Sequence, residues 1–180
     1  MSKETVWIVL FRGVGGATQL PVAKLREALT AAGFRNVATY INSGNALVRT
    51  TLSRDKATKK IAAICRQEFG FDKAIYLVSR EELAELIAKN PFPKEIGGKF
   101  LHAAVLEDTP PKGAVEKLRE HAVGAEDLKV VGNFAYLHTP AGFGTSKLAA
   151  RFDKGIGVGN TARNWNTVEK LMELADKAAL

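Results

Sequence analysis

Arg12-Gly13-Val14-Gly15-Gly16 sets one guanidinium at the head of a loop with three glycines in four positions. Glycines let backbone N–H groups approach a partner, and a guanidinium presents a rigid fork of donors. The pattern suits an anion or a polar small molecule, a phosphate-containing one above all. A second polar segment, Asn42-Ser43-Gly44-Asn45, brings two amides and a hydroxyl between two apolar runs. A third, GIGVGNTARNWNT at 155–167, gathers Asn160, Thr161, Arg163, Asn164 and Asn166 around Trp165, and Lys147 is a further cation ahead of it. Any reaction run by these groups rests on electrostatic stabilisation of an anionic substrate by Arg12, Arg163 and Lys147. The sequence identifies no general base and no cofactor, and whether the protein is an enzyme stays open.

Each segment also has a structural reading. Asn164 or Asn166 can accept from the free N–H groups of a helix start, Asn166 with Glu169 forming a variant capping box, while Trp165 seals the helix entry. The functional reading, with Arg163 and Lys147 aimed at the ligand of Arg12, requires two halves of the chain to face each other. Cys65 falls on the apolar side of a helical stripe and reads as core. His102 lies within an apolar strand and His138 at the end of another, so both read as satisfied structural histidines. No G-x-S-x-G elbow, P-loop, HExxH or paired-carboxylate motif occurs. The run from Gly13 is not G-x-G-x-x-G, because Thr18 takes the place of the third glycine.

The elements that must position these groups are legible in the periodicity. Val6–Phe11 is apolar on both faces, as expected of a central strand. A helix follows from about Pro21 to Ala32, stopped by Gly33. Strands Val37–Asn42 and Asn45–Arg49 meet through Ser43-Gly44, either as a tight hairpin or as a slightly wider turn. A helix near Ser53–Phe69 and a strand Lys73–Val78 complete the order βαββαβ, a ferredoxin-like unit. In that topology the loop after the first strand and the hairpin lie at one end of the sheet, so Arg12–Gly16 and Asn42–Asn45 should converge.

The second half reads as a repeat. Helix Ser79–Lys89 opens with a Ser79/Glu82 capping box. Strand Lys99–Leu106, a helix near Pro110–Ala122 capped by Thr109, strands Leu128–Val131 and Phe134–His138 about a Gly132-Asn133 turn, a helix near Ser146–Phe152 and a terminal helix to about Ala178 follow. No clear strand follows the helix near Ser146. An offset of 88 residues superposes Gly44-Asn45 on Gly132-Asn133 and Ser79 on Thr167. The expected fold class is α+β: two tandem ferredoxin-like modules, 1–90 and 91–180, each followed by a helix and able to pack as one compact unit.

Composition agrees with a folded protein. The 180 residues are 46% hydrophobic and 25% charged, enough to bury a core. One cysteine and three scattered histidines give neither a disulfide nor metal-ligand spacing, which favours a reducing cytoplasm. MSKETVW shows no secretory pattern, and no run reaches the length of a membrane span. The net charge of +7 is concentrated in residues 1–90, with 14 basic against 8 acidic residues. Much of it lies in Arg49, Arg54, Lys56, Lys59, Lys60 and Arg66, either as a solvated helix face or as a surface for phosphates. An anionic small molecule is the leading partner. Single-stranded nucleic acid ranks second, because an aromatic pair on the central strands is not evident and Tyr40 and Trp165 alone would stack. Protein association is a third reading; no membrane partner is expected, and the oligomeric state is not set by the sequence.

FRGVGG, GFRNVATYINSGNALV and TARNWNTVEKLMEL together resemble the three signatures of a bacterial family, domain-of-unknown-function family 1697. They run from Phe11 to Leu174 and so cover nearly the whole chain. The resemblance implies an α+β fold of ferredoxin-like character and no established activity. It marks Arg12, Gly13, Gly15, Gly16, Ser43, Gly44, Asn45, Thr161, Arg163, Asn164 and Trp165 as motif positions. One departure stands out: relatives carry a longer loop of the type RG-I-N-V-GG, whereas Arg12-Gly13-Val14-Gly15-Gly16-Ala17 lacks the Ile-Asn pair.

Overall fold

The computed structural model describes residues 2–15, 18–42 and 44–180. The chain divides into two compact units, Met1–Ala84 with Leu171–Leu180, and Glu85–Lys170. The first holds β1 (Thr5–Phe11), α1 (Val22–Ala31), β2 (Arg35–Thr39), β3 (Asn45–Thr50), α2 (Arg54–Phe69) and β4 (Ile75–Ser79). Its antiparallel sheet has the order β2-β3-β1-β4, with the two-sided apolar strand β1 in an inner position. Trp7, Val9 and Phe11 lie on the face covered by the helices, where Leu25, Leu29, Ile61 and Cys65 complete the core. Ile8 and Leu10 point to the other face and are buried as well. Helix α3 (Arg80–Ala88) leaves this unit through the expected capping box. Ser79 Oγ accepts from the Glu82 N–H at 3.1 Å, and the Glu82 carboxylate accepts from the Ser79 N–H at 2.8 Å.

The second unit repeats the pattern with β5 (Leu101–Leu106), α4 (Ala114–Arg119), β6 (Asp127–Val131), β7 (Phe134–His138), α5 (Lys147–Gly155) and β8 (Asn160–Asn164), ordered β6-β7-β5-β8. Helix α6 (Trp165–Ala179) begins here and ends in the first unit. The fold is therefore two tandem ferredoxin-like modules. Two local expectations change. Residues 160–164, read as a helix approach, form edge strand β8, paired to β5 from His102↔Asn164 to Leu106↔Asn160. Thr109 does not cap a helix: Pro110 and Pro111 bring no N–H groups, the Pro111 carbonyl accepts from Ala114, and α4 starts after Gly113 at φ 86°.

Hydrogen bonds give the equivalence of the two modules. At the end of β1, Phe11 N–H donates to Gly44 O at 2.9 Å and Arg12 N–H to Ala74 O at 3.0 Å. At the end of β5, Leu106 N–H donates to Asn133 O and Glu107 N–H to Gly159 O, each at 2.8 Å. Gly44 thus corresponds to Asn133, and Arg12 to Glu107. The 88-residue offset matches similar residue types and misses this register. Ser79 corresponds to Asn164, since each pairs with the equivalent residue of its first strand, Trp7 or His102. Both cap the next helix; Asn164 Oδ1 accepts from Thr167 N–H at 2.9 Å.

The same equivalence exposes a difference at the opposite end of the sheets. In the first unit, Trp7 Nε1 donates to Leu52 O at 3.3 Å and Thr50 Oγ1 accepts from Leu52 N–H at 3.2 Å. The counterparts of Trp7 and Thr50 are His102 and Thr139. His102 Nδ1 and Thr139 Oγ1 are buried without a hydrogen-bond partner among the described residues, so His102 is not a satisfied histidine. Its ring stacks on Phe143 with centroids 3.9 Å apart. Burial pushes its pKa down from 6.5 to about 4. The unfolded chain therefore takes up this proton first as the pH falls. Stability present above pH 6.5 should be lost between pH 6.5 and about 4, by at most about 3 kcal/mol. Urea denaturation across that range should show a shallower slope for His102→Phe; equal slopes would exclude the assignment.

Candidate functional site

At the end of β1 the structure brings together Arg12, Gly13, Gly15 and Gly44. Gly13 and Gly15 have φ of 72° and 136°, conformations that suit glycine. Gly15 and Thr18 exchange backbone hydrogen bonds of 2.7 and 3.0 Å, closing the loop on itself. Gly44, at φ 85°, lies so close to β1 that a Cβ there would be 2.9 Å from Phe11 O and 3.0 Å from Val14 Cγ2. Asn42 is exposed beside it. Asn45 is 2% exposed; its side-chain amide donates to Tyr40 O at 3.2 Å and its backbone carbonyl accepts from Tyr40 N–H at 3.1 Å. That side chain closes the hairpin. Two motif positions, Gly16 and Ser43, lie outside the described residues.

Lys73 joins this group, and sequence reasoning missed it. Its Nζ donates to Gly13 O at 3.3 Å, so a second cation stands over the loop headed by Arg12. The signal was available: β4 is hydrogen-bonded to β1, and Lys73 precedes β4 where Arg12 follows β1.

The third polar segment, 155–167, is divided between two faces of its sheet. Ala162 packs with Leu148 and Phe152 on the helix side, so its neighbours Thr161 and Arg163 point to the opposite face. Lys147, exposed at the start of α5, belongs to the helix side and is not brought to Arg163. Arg163 Nη1 donates to Thr161 Oγ1 at 2.7 Å and to Ala162 O at 2.8 Å. Burial lowers its pKa to about 10, which leaves it cationic at neutral pH. Trp165, 7% exposed, offers no open ring, and Asn164 is occupied as the cap of α6.

The basic run from Arg49 to Arg66 is partly used by the fold. Arg49 pairs with Glu4 at 2.9 Å, Arg54 with Glu82 at 2.5 Å, and Lys59 with Asp55 at 2.9 Å. Lys60 donates to Ala32 O at 2.6 Å. Burial would raise the Glu82 carboxyl, but the Arg54 guanidinium and the Ser79 donors outweigh it and hold it below the usual range. Cys65 is fully buried, and desolvation raises its thiol to about 12, so it stays protonated and inert. Among the described residues no group of three His, Cys, Asp or Glu side chains could hold a metal ion, and no helix is long and apolar enough to cross a membrane.

A family model described as a protein of unknown function, DUF1697, matches residues 5–136, most of the chain. The chain belongs to the DUF1697 family. The match includes the Arg12 loop and the Gly44 hairpin and ends before the 160–165 segment. The chain is similar over 96% of its length to 99% of a conserved bacterial protein, SP0830 from Streptococcus pneumoniae, with 19% identity and a TM-score of 0.74, which shows a shared fold. Protein BT0572 from Bacteroides thetaiotaomicron aligns over 88% of this chain and 91% of its own, at 11% identity and a TM-score of 0.20. No curated protein matches the chain.

The close approach at Gly44 is the geometric condition for this site. Gly44→Ala adds both a backbone conformation that alanine resists and a contact with Phe11 O, at a cost of roughly 1–3 kcal/mol. Urea denaturation should show that loss, whereas Lys73→Ala, at an exposed contact, should change stability by less than about 0.5 kcal/mol.

Proposed function

We propose that the protein binds a small anionic or polar molecule, with phosphate as the recognised group, at the loops that close β1 and the β2–β3 hairpin. The observation that carries this reading is the charge contrast between the modules. Arg12 and Lys73 stand at the end of the first module, while the residue equivalent to Arg12 in the second is Glu107, followed by Asp108. The topology does not require a cation there, because the second module folds with an acid. Two cations beside a loop with positive-φ glycines form a cradle for an anion, and Gly16, Ser43 and the exposed Asn42 amide complete the proposed set. Arg163 and Lys147 act elsewhere in this reading. A bacterial cytoplasm is the proposed setting, where the single buried thiol stays reduced.

A single-stranded nucleic acid reading has less support. Stacking on a ferredoxin-like sheet needs open aromatic rings. Trp7, Phe11 and Trp165 are buried, and Ile8, Leu10 and Leu47 leave no open apolar platform on the other face of the first sheet. No observation favours protein association over either.

Thermal unfolding with inorganic phosphate, pyrophosphate, sugar phosphates and single-stranded oligonucleotides at two salt concentrations tests the proposal. A ligand at a hundredfold excess over its Kd should stabilise the protein by about 2.7 kcal/mol. Arg12→Ala should abolish that gain. No shift with any phosphate, or an undiminished shift in Arg12→Ala, would rule the site out.

A further inference from the structure

Each unit has a concavity at the start of its first strand, and the two are built differently. In the first unit, Glu4, Arg35, Arg49, Arg80 and Glu81 line an open cavity of about 790 Å³. Its charges engage one another and the end of α6. Arg35 and Arg49 face each other across β2 and β3, and Glu4 bridges them at 2.9 Å to each. Arg80 pairs with Asp176 at 2.7 Å, and the Asn36 amide donates to Ala178 O at 2.8 Å. That cavity is explained by the docking of a helix terminus.

Strand register identifies its counterpart. Glu4, Thr5, Arg49 and Glu81 correspond to Lys99, Phe100, His138 and Asn166. These four, with Glu95, Gly97 and Pro140 among others, line an open cavity of about 750 Å³ in the second unit. Nothing equivalent to the Glu4 bridge fills it: Lys99 replaces Glu4, and among the described residues the side chains of Lys99, His138 and Asn166 make no hydrogen bond or ion pair. Phe100 is 39% exposed, the one exposed aromatic ring among the described residues. Lys99 Nζ lies 5.3 Å from the centroid of that ring, and the His138 ring is braced against Phe92 with centroids 5.6 Å apart. Gly98, at φ 59°, would bring a Cβ within 3.6 Å of the Asn166 amide, so the backbone runs close beneath that group.

We propose that this second cavity binds a purine nucleotide, with the base on Phe100, its edge against the Asn166 amide and its phosphate toward Lys99. An aromatic face stacks on any base, an asparagine amide matches the paired donor and acceptor of adenine N6 and N7, and an ammonium serves as a point charge for phosphate. The site shares no residue with the Arg12 loop and does not depend on it.

Titration of the full-length ¹⁵N-labelled protein with AMP, UMP, ribose 5-phosphate and inorganic phosphate tests the assignment. AMP should produce saturable shifts at the amides of Gly98, Phe100 and Asn166, with ribose 5-phosphate far weaker. Phe100→Ala should weaken AMP binding by about tenfold or more, and Asn166→Ala should reduce the preference for AMP over UMP by several-fold. Arg12→Ala should leave all of this unchanged. Absence of these shifts, shifts confined to Gly13 and Gly44, or an unaltered affinity in Phe100→Ala would overturn the proposal. Tighter binding by an oligonucleotide ending in adenosine than by AMP would overturn the assignment to a free nucleotide.

Discussion

Two backbone hydrogen bonds at the end of β1 fix both the register of the first sheet and the position of the Arg12 loop. Phe11 N–H reaches the hairpin carbonyl of Gly44, and Arg12 N–H reaches Ala74 on the other side. The central strand is thereby held by both neighbours at the point where its ladder ends. The next residues leave the sheet from a fixed position, so the Arg12 loop is aimed by the sheet rather than by its own sequence. A strand that exits between two partners also cannot slip by one residue without turning Trp7, Val9 and Phe11 away from their core. Register and site geometry are consequences of one constraint.

The second module meets the same constraint with other residues, and the comparison separates what the fold needs from what it tolerates. Both modules require a donor after the central strand, and any backbone N–H will serve; Arg12 and Glu107 fill that place with opposite charges. Both require an acceptor at the start of the helix after the fourth strand, where Ser79 and Asn164 are interchangeable oxygens. The corner at the far end is not equally supplied. An indole and a hydroxyl satisfy Leu52 in the first unit, whereas an imidazole nitrogen and a hydroxyl have no partner among the described residues in the second. The two units share their topology more closely than the polar pairing within it.

How far the sequence could be read depends on the same distinction. Elements with strong patterns were legible: the apolar β1, the helices that begin after Ser53 and Ser79, the helix near Ser146 and the Phe134–His138 strand. The convergence of the Arg12 and Gly44 loops came from the order of elements alone. Strand β8 was hidden because NTARN carries almost no β-branched or aromatic residues, and its neighbour β5 holds it in place. The missing strand also hid the alternation along β8 that sends Arg163 to the face away from α5.

Several polar residues that stood out by type prove to serve the backbone. Asn45 closes a hairpin, Asn164 caps a helix, and Asn36 bonds a helix carbonyl from a φ of 47°. Each meets a requirement created by chain geometry, because a buried N–H or C=O group without a partner is costly. Polar side chains that meet no such requirement are the informative ones. Lys99 and Asn166, with the Phe100 ring, line a cavity whose counterpart is lined by paired charges. Residue type alone could not make that distinction, since Asn164 and Asn166 are neighbours of the same kind. It emerges only when the two modules are superposed by their hydrogen bonds, which shows which groups the fold has already used.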